Sequence, residues 1–155
     1  MTPTSRTTKK TNPWNDFLRS TRGRYRNIHE ASTAYRFQRI RGTTAFEIIN
    51  RIPGHATKRT LTPIPGRVTQ GVEYKWTDKT GTVRVRIHGP DALAPVGSNA
   101  HSGWIVRVEM SGRALDHNGI FHHRQSHNPR SSHYNPTVAN DTHIPIQTPT
   151  DLSFL

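Results

Sequence analysis

Residues 72–108, VEYKWTDKTGTVRVRIHGPDALAPVGSNAHSGWIVRV, decide the fold. Val83, Val85 and Ile87 alternate with Arg84, Arg86 and His88, the period of two expected when one sheet face is buried and the other is polar. Val72, Tyr74 and Trp76 alternate with Glu73 and Lys75 in the same way. Between the two runs, Asp78-Lys79-Thr80-Gly81 reads as a hairpin turn ending on a residue that tolerates positive φ. A third run, 104–110, sets Trp104, Val106 and Val108 against Ile105, Arg107 and Glu109, less cleanly because Ile105 falls among the charges. The loop 89–103 separates two of these strands and is placed to carry binding groups on a rigid scaffold.

Upstream, Asn12 is a candidate cap for a helix over 13–20, with Pro13 at its first position and Trp14, Phe17 and Leu18 on one side. A second helix is expected over 28–40. A third, short one starts at Thr43 or Thr44 and stops before Ile52-Pro53-Gly54. Residues 53–71 hold three prolines and three glycines and read as loop. Downstream come a strand at 113–115, a short stretch at 120–122, a turn-rich segment at 128–136, and an edge strand at 142–147 limited by Pro145. The expected fold is α+β, with N-terminal short helices packed on an antiparallel sheet of about four or five strands, one sheet face covered and the other open. Residues 1–12 read as a disordered tail, 13–51 as a basic helical segment, 52–147 as the sheet domain, and 148–155 as a C-terminal tail.

At 155 residues and 31% apolar content, with 11 glycines and 11 prolines, the chain has room for one modest core and much loop. It has no cysteine, which removes disulfides, thiolate metal sites and a thiol nucleophile. No run is long and apolar enough for a signal peptide or a membrane span. The net charge of +12 is uneven. Residues 1–41 carry ten Lys or Arg against two acids, 42–110 nine against five, and 111–155 three against three. A basic front half points to a polyanion, nucleic acid first, or to an acidic protein partner.

Of ten histidines, six lie between His117 and His143. His122, His123 and His127 invite a metal reading, but there is no HExxH pair, and adjacent strand residues face opposite ways. No metal or other cofactor is therefore expected. Arg86 and His88 share a strand face, and Asp91 is close enough in sequence to orient an imidazole or to cap the loop. Ser98 lacks a nucleophile elbow and suits a neutral donor beside a phosphate better than a hydrolase triad. Arg107 lies on the next strand. Tyr134, Asn140, Asp141, Thr142 and His143 form the last polar group, where Asp141 shares a face with His143 if the chain is extended.

Two histidines, a cation and a neutral donor meet the needs of metal-free RNA cleavage. One group deprotonates the ribose 2′-OH, another protonates the leaving 5′ oxygen, and fixed donors stabilise charge on the phosphoryl oxygens. DNA lacks that hydroxyl, and its cleavage would call for activated water and a metal site that sparse acids do not favour.

The phrases VRVRIHGPDALAPVGSNAHSGWIVRV and HNPRSSHYNPTVANDTHIPI resemble polymorphic toxin type 30, a C-terminal domain of large secreted bacterial toxins, over 52–147. The resemblance implies a ribonuclease toxin delivered by a secretion apparatus through its parent protein. It would act in the cytoplasm of a competing cell and be neutralised in the producer by a cognate immunity protein. The family phrases fall on Arg86, His88, Asp91, Ser98, Asn99, Trp104, Arg107, Tyr134, Asn140, Asp141, Thr142 and His143.

The reading is then an endoribonuclease toxin, with tRNA among its candidate substrates. His88 and His143 form the acid–base pair, Arg86 and Arg107 hold the phosphate, and Thr142, Tyr134 or Ser98 donate hydrogen bonds. The basic helices guide the RNA backbone in a salt-dependent way, and the immunity protein is expected to be acidic. Three other readings stand beside it: an ADP-ribosyltransferase using NAD with Glu109 as its acid, a metal-dependent DNA-cleaving toxin, and a non-catalytic nucleic-acid-binding domain.

Overall fold

The computed structural model describes residues 12–78 and 81–155. Residues 1–11 of the tail expected over 1–12, and the turn residues Lys79 and Thr80, lie outside them.

Helix α1 (Pro13–Ser20) starts at Asn12, whose side chain accepts from the backbone N–H of Trp14 and Asn15. Asn27 caps α2 (Ile28–Arg36) in the same manner. This helix ends four residues before the expected Ile40. Phe37 caps it, and Arg39 then turns to φ 56°, a left-handed conformation that no helix continues through. The break lets Phe37 and Ile40 both reach the core. Thr44 caps α3 (Ala45–Ile49).

The strands are β1 (Thr57–Thr60), β2 (Gly71–Asp78), β3 (Gly81–His88), β4 (Ile105–Met110), β5 (Arg113–Leu115), β6 (Phe121–His122) and β7 (Ile144–Pro145). Two short helices interrupt them, α4 (Asn99–Ser102) and α5 (Pro136–Asp141). The order is β1-β2-β3-β4-β5-β6, with β7 also paired to β4. All pairings are antiparallel, and β2 and β3 form the expected hairpin, Asp78 opposite Gly81. Past β3, the edge of β4 is shared: β7 takes Ile105 and Val106, and β5 takes Glu109 and Met110.

The sheet thus has seven strands, more than the four or five expected. The surplus is β1, which reads TKRT with all four residues exposed, and β6, two residues within the stretch noted at 120–122; β7 is the expected edge strand, shortened to Ile144–Pro145.

Register sorts the two faces. Val72, Ile87 and Val106 align across β2, β3 and β4, as do Trp76, Val83 and Met110, and this face is the core. The helices cover it: Ala34, Phe37, Ile40, Ala45 and Ile48 share one buried cluster with the strands, and Phe37 lies 6.2 Å from Trp76 between ring centres. Fully burying a Val or Ile side chain is worth about 1.5–3 kcal/mol, so this cluster is what holds three marginal helices in place. A largely buried ion pair, Arg113 to Glu30 at 2.6 Å, ties β5 to α2 on the same side. The C-terminal segment docks as well, through Phe154 against Trp104 and Phe46.

Candidate active site

The open face carries the charges. Arg59, Glu73, Arg86 and Arg107 are register partners in one row across β1 to β4. Glu73 is buried and holds three guanidiniums: Arg86 at 2.8 Å, Arg59 at 3.1 Å and Arg84 at 3.7 Å. Burial would raise its pKa, but hydrogen bonds from Arg86 and Arg59 outweigh that and hold the carboxyl below its ordinary range. Arg86, expected to clamp phosphate, therefore spends one arm on Glu73. Arg107 reaches Glu109 at 3.1 Å, and its buried Nε has no hydrogen-bond partner among the described residues. That pairing also commits Glu109, the acid an NAD-using enzyme would need.

Beside this ionic row lies a cleft of about 350 Å³, lined by Asp91, Ser98, His127, Tyr134, Asn140 and His143 among others. Its walls are joined by one residue pair. The backbone N–H of Asn99 donates to Asn140 Oδ1 at 2.8 Å, and Asn99 Nδ2 donates to the Asn140 carbonyl at 3.2 Å. This clasps α4 to α5 and fixes the chain just before His143.

His143 precedes β7. The β4–β7 pairs end at Val106–Ile144, and the charge of Arg107, the next residue of β4, acts on His143. Its Nδ1 lies 2.6 Å from the Ala139 carbonyl, which can only accept, so Nδ1 carries the proton and neutral Nε2 is a bare acceptor. Burial, then the charge of Arg107, push its pKa down to about 4; the Ala139 bond opposes this, and His88 and His127 add to the depression. His127 is also held below its ordinary value by burial and by Arg107, and it is the more exposed of the two imidazoles.

His88 stands one row away, aligned with Gly71 and Ile105. A Cβ on Gly71 would sit 2.7 Å from that of His88, so only glycine lets β2 pass. His88 is 6% exposed and is not among the residues lining the cleft. Its Nδ1 donates to the Gly89 carbonyl at 2.7 Å, and burial, with Arg86 and Arg107, lowers its pKa. His88 is near enough to act on His143 electrostatically, and His127 is the histidine that lines the cleft with His143.

Other expected residues take definite places. Asp91 accepts from Leu93 N–H at 3.0 Å and pairs with Arg67 at 3.6 Å, while His88 turns to Gly89; of its two expected roles, it caps the loop. Asp141 ends α5, so the extended geometry that would let it orient His143 is absent, and Ala139 does that work. Thr142 is 2% exposed and its hydroxyl donates to the Ala139 carbonyl, which removes it from the donors facing substrate. Ser98 caps α4 by accepting from His101 N–H at 3.3 Å, leaving its hydroxyl proton to give, and Tyr134 faces the cleft. His122 pairs with Asp116 at 2.7 Å, and His123 stacks on His133 at 3.7 Å. Among the described residues no three His, Asp or Glu side chains gather as a metal site. His127 was visible in sequence only as a companion of His122 and His123; the turns after β6 separate them.

A family model for bacterial toxin 30 matches residues 47–147, from within α3 through β7. The chain belongs to the bacterial toxin 30 family. The matched span of this toxin domain holds the whole sheet, the Asn99–Asn140 clasp, the ionic row and every histidine of the cleft. Helices α1 and α2 precede it, though they pack on the same sheet. No curated protein and no solved structure matches the chain. Among the described residues of this bacterial toxin 30 domain, no helix is long and apolar enough to cross a membrane.

Proposed function

We propose that this toxin domain cleaves RNA by acid–base chemistry, with the ribose 2′-OH as nucleophile. The observation that carries the reading is the largely buried imidazole of His143 on the cleft wall, its Nδ1 committed to the Ala139 carbonyl and the charge of Arg107 acting on it. His143 takes the 2′-OH proton; the oxygen attacks phosphorus, the bond to the 5′ oxygen breaks, and a 2′,3′-cyclic phosphate forms. His127 returns a proton to the leaving oxygen. Arg107 stabilises charge on the phosphoryl oxygens, and Ser98 and Tyr134 donate neutral hydrogen bonds.

An imidazole titrating near 4 is a weak base, and two neutral histidines contain no acid. A bound phosphodiester answers both points. Its negative charge offsets Arg107, so it raises the basicity of His143 and makes the imidazolium of the more exposed His127 cheaper to form. His88, nearly buried behind them, acts by setting the local field rather than by touching substrate.

The family context supports RNA within a competing cell, tRNA included, as target, delivery from the producing bacterium through a parent protein, and an acidic immunity protein over the cleft. The test is cleavage of bacterial total RNA in EDTA by the wild-type domain, His143→Ala and His127→Ala. Loss of cleavage in both variants is expected. Undiminished cleavage in both would remove the assigned groups.

A further inference from the structure

The residue row on the open face is longer than a catalytic site needs. Arg59, Glu73, Arg86 and Arg107 follow one another at right angles to the strands, and the charge of Arg107 acts on His143 beyond them. Three strand intervals at about 4.8 Å each make this row about 14 Å long. Beside it, Lys75, Arg84 and Glu109 form a second aligned row. Three guanidiniums against the single carboxylate of Glu73 leave two net positive charges at this spot. Arg59, Arg84 and Arg86 keep 58%, 45% and 41% of their side-chain surface exposed.

We propose that this stripe is a track for the phosphate backbone of an RNA strand entering the cleft, with Glu73 as the residue that positions its arginine forks. The inference rests on the ribonuclease reading above, and it moves RNA guidance from the N-terminal helices, which cover the opposite side of the sheet, to the sheet itself.

A guanidinium anchored through one arm keeps its remaining donors in a fixed plane, the geometry that matches phosphate oxygens. The same face argues against a protein as its main occupant. Stable protein interfaces are centred on buried aromatic or aliphatic anchors. The paired residues here are Thr57, Arg59, Glu73, Lys75, Thr77, Thr82, Arg84, Arg86, Arg107 and Glu109, and the apolar members of the face, Ile105 and Ala114, are buried. Tyr74 and Trp76 align with the core residues Val85 and Val83, so the track offers no stacking platform. Binding along it is therefore tolerant of sequence and sensitive to salt.

The experiment uses a labelled RNA oligonucleotide longer than the stripe with 2′-O-methyl groups throughout, which blocks the nucleophile and separates binding from cleavage. Removing two phosphate contacts in Arg59→Ala/Arg84→Ala should weaken binding at least tenfold at low salt. It should also flatten the slope of log affinity on log salt by about 1.4, at about 0.7 per single-strand contact. Glu73→Gln adds one positive charge to the face; the track predicts weaker binding because the forks lose their shared anchor, whereas a mere cationic surface predicts tighter binding.

The exposed double variant decides the matter where Glu73→Gln does not fold. Wild-type affinity in that double variant overturns the proposal. So does tighter binding by Glu73→Gln, or competition by polyglutamate as strong as by RNA of equal charge, which would assign the face to an acidic protein. Because the probe cannot be cleaved, the proposed track fails or stands apart from cleavage by His143→Ala.

Discussion

Two histidines next to strands of the same open sheet face meet opposite neighbours. His143, just ahead of β7, lies under the charge of Arg107, and its Nδ1 is turned to the Ala139 carbonyl. His122, at the end of β6, points its Nε2 at Asp116 at 2.7 Å, and that carboxylate also receives the backbone N–H groups of Asn118 and Ile120. A cation beside a desolvated imidazole keeps it neutral with a free lone pair; a carboxylate beside one turns it into a hydrogen-bond staple for a turn. Residue type and strand face are shared, so the neighbouring charge sorts base from staple. The largest expected effect follows directly: His143→Ala should reduce RNA cleavage by about 10³-fold, the scale of a lost general base, as measured by initial rates on a short RNA substrate. A rate within tenfold of wild type would dissolve the contrast.

Little of that contrast was legible in sequence. The central strands were, because Val83, Val85 and Ile87 alternate with charges and marked the open face carrying Arg84, Arg86 and His88. Helix starts were readable from Asn12 and Thr44. Strand β1 was not, since TKRT is exposed on both faces and owes its order to pairing with β2. Helix α5 was hidden in a Pro- and Asn-rich segment, and with it went the position of Asp141 and the burial of Thr142. Arg107 and His143 were candidates by type, but their meeting depends on β7 returning to the β4 edge, a long-range pairing without local signature. His127 needed the turns after β6 to separate it from His122 and His123.

The second effect is on stability, and its sign is the same as that of a paired acid, because in both the folded state holds the group's pKa down. His143 titrates near 6.5 when unfolded and at about 4 when folded. Between those values the unfolded chain binds more protons, so stability rises with pH, is complete above 6.5, and is lost as pH falls toward 4. The gap corresponds to about 3 kcal/mol. Urea unfolding of wild type at pH 7 and at pH 4.5 should show this loss, and His143→Gln should show a smaller difference between the two conditions. An equal difference in both proteins would mean that Arg107 and burial do not act on His143 as described. Third, Arg107→Ala should lower cleavage about a hundredfold through the lost stabilisation of developing charge, with Arg107→Lys recovering part of it. Full recovery by Lys would reduce the role of Arg107 to charge alone.

The smallest effect belongs to the other member of the pair. His122→Ala removes one hydrogen bond from Asp116 but leaves those from Asn118 and Ile120, so the turn keeps its shape. Stability should fall by about 1 kcal/mol, read from the urea midpoint, and cleavage should stay within about twofold of wild type. The informative comparison is with Asp116→Asn, which keeps the side-chain volume while removing the charge that holds His122. If the neighbouring charge is what makes His122 a staple, Asp116→Asn should cost stability and leave the rate alone. A large drop in rate in either variant would place the β5–β6 turn in the working site and erase the difference between the two histidines.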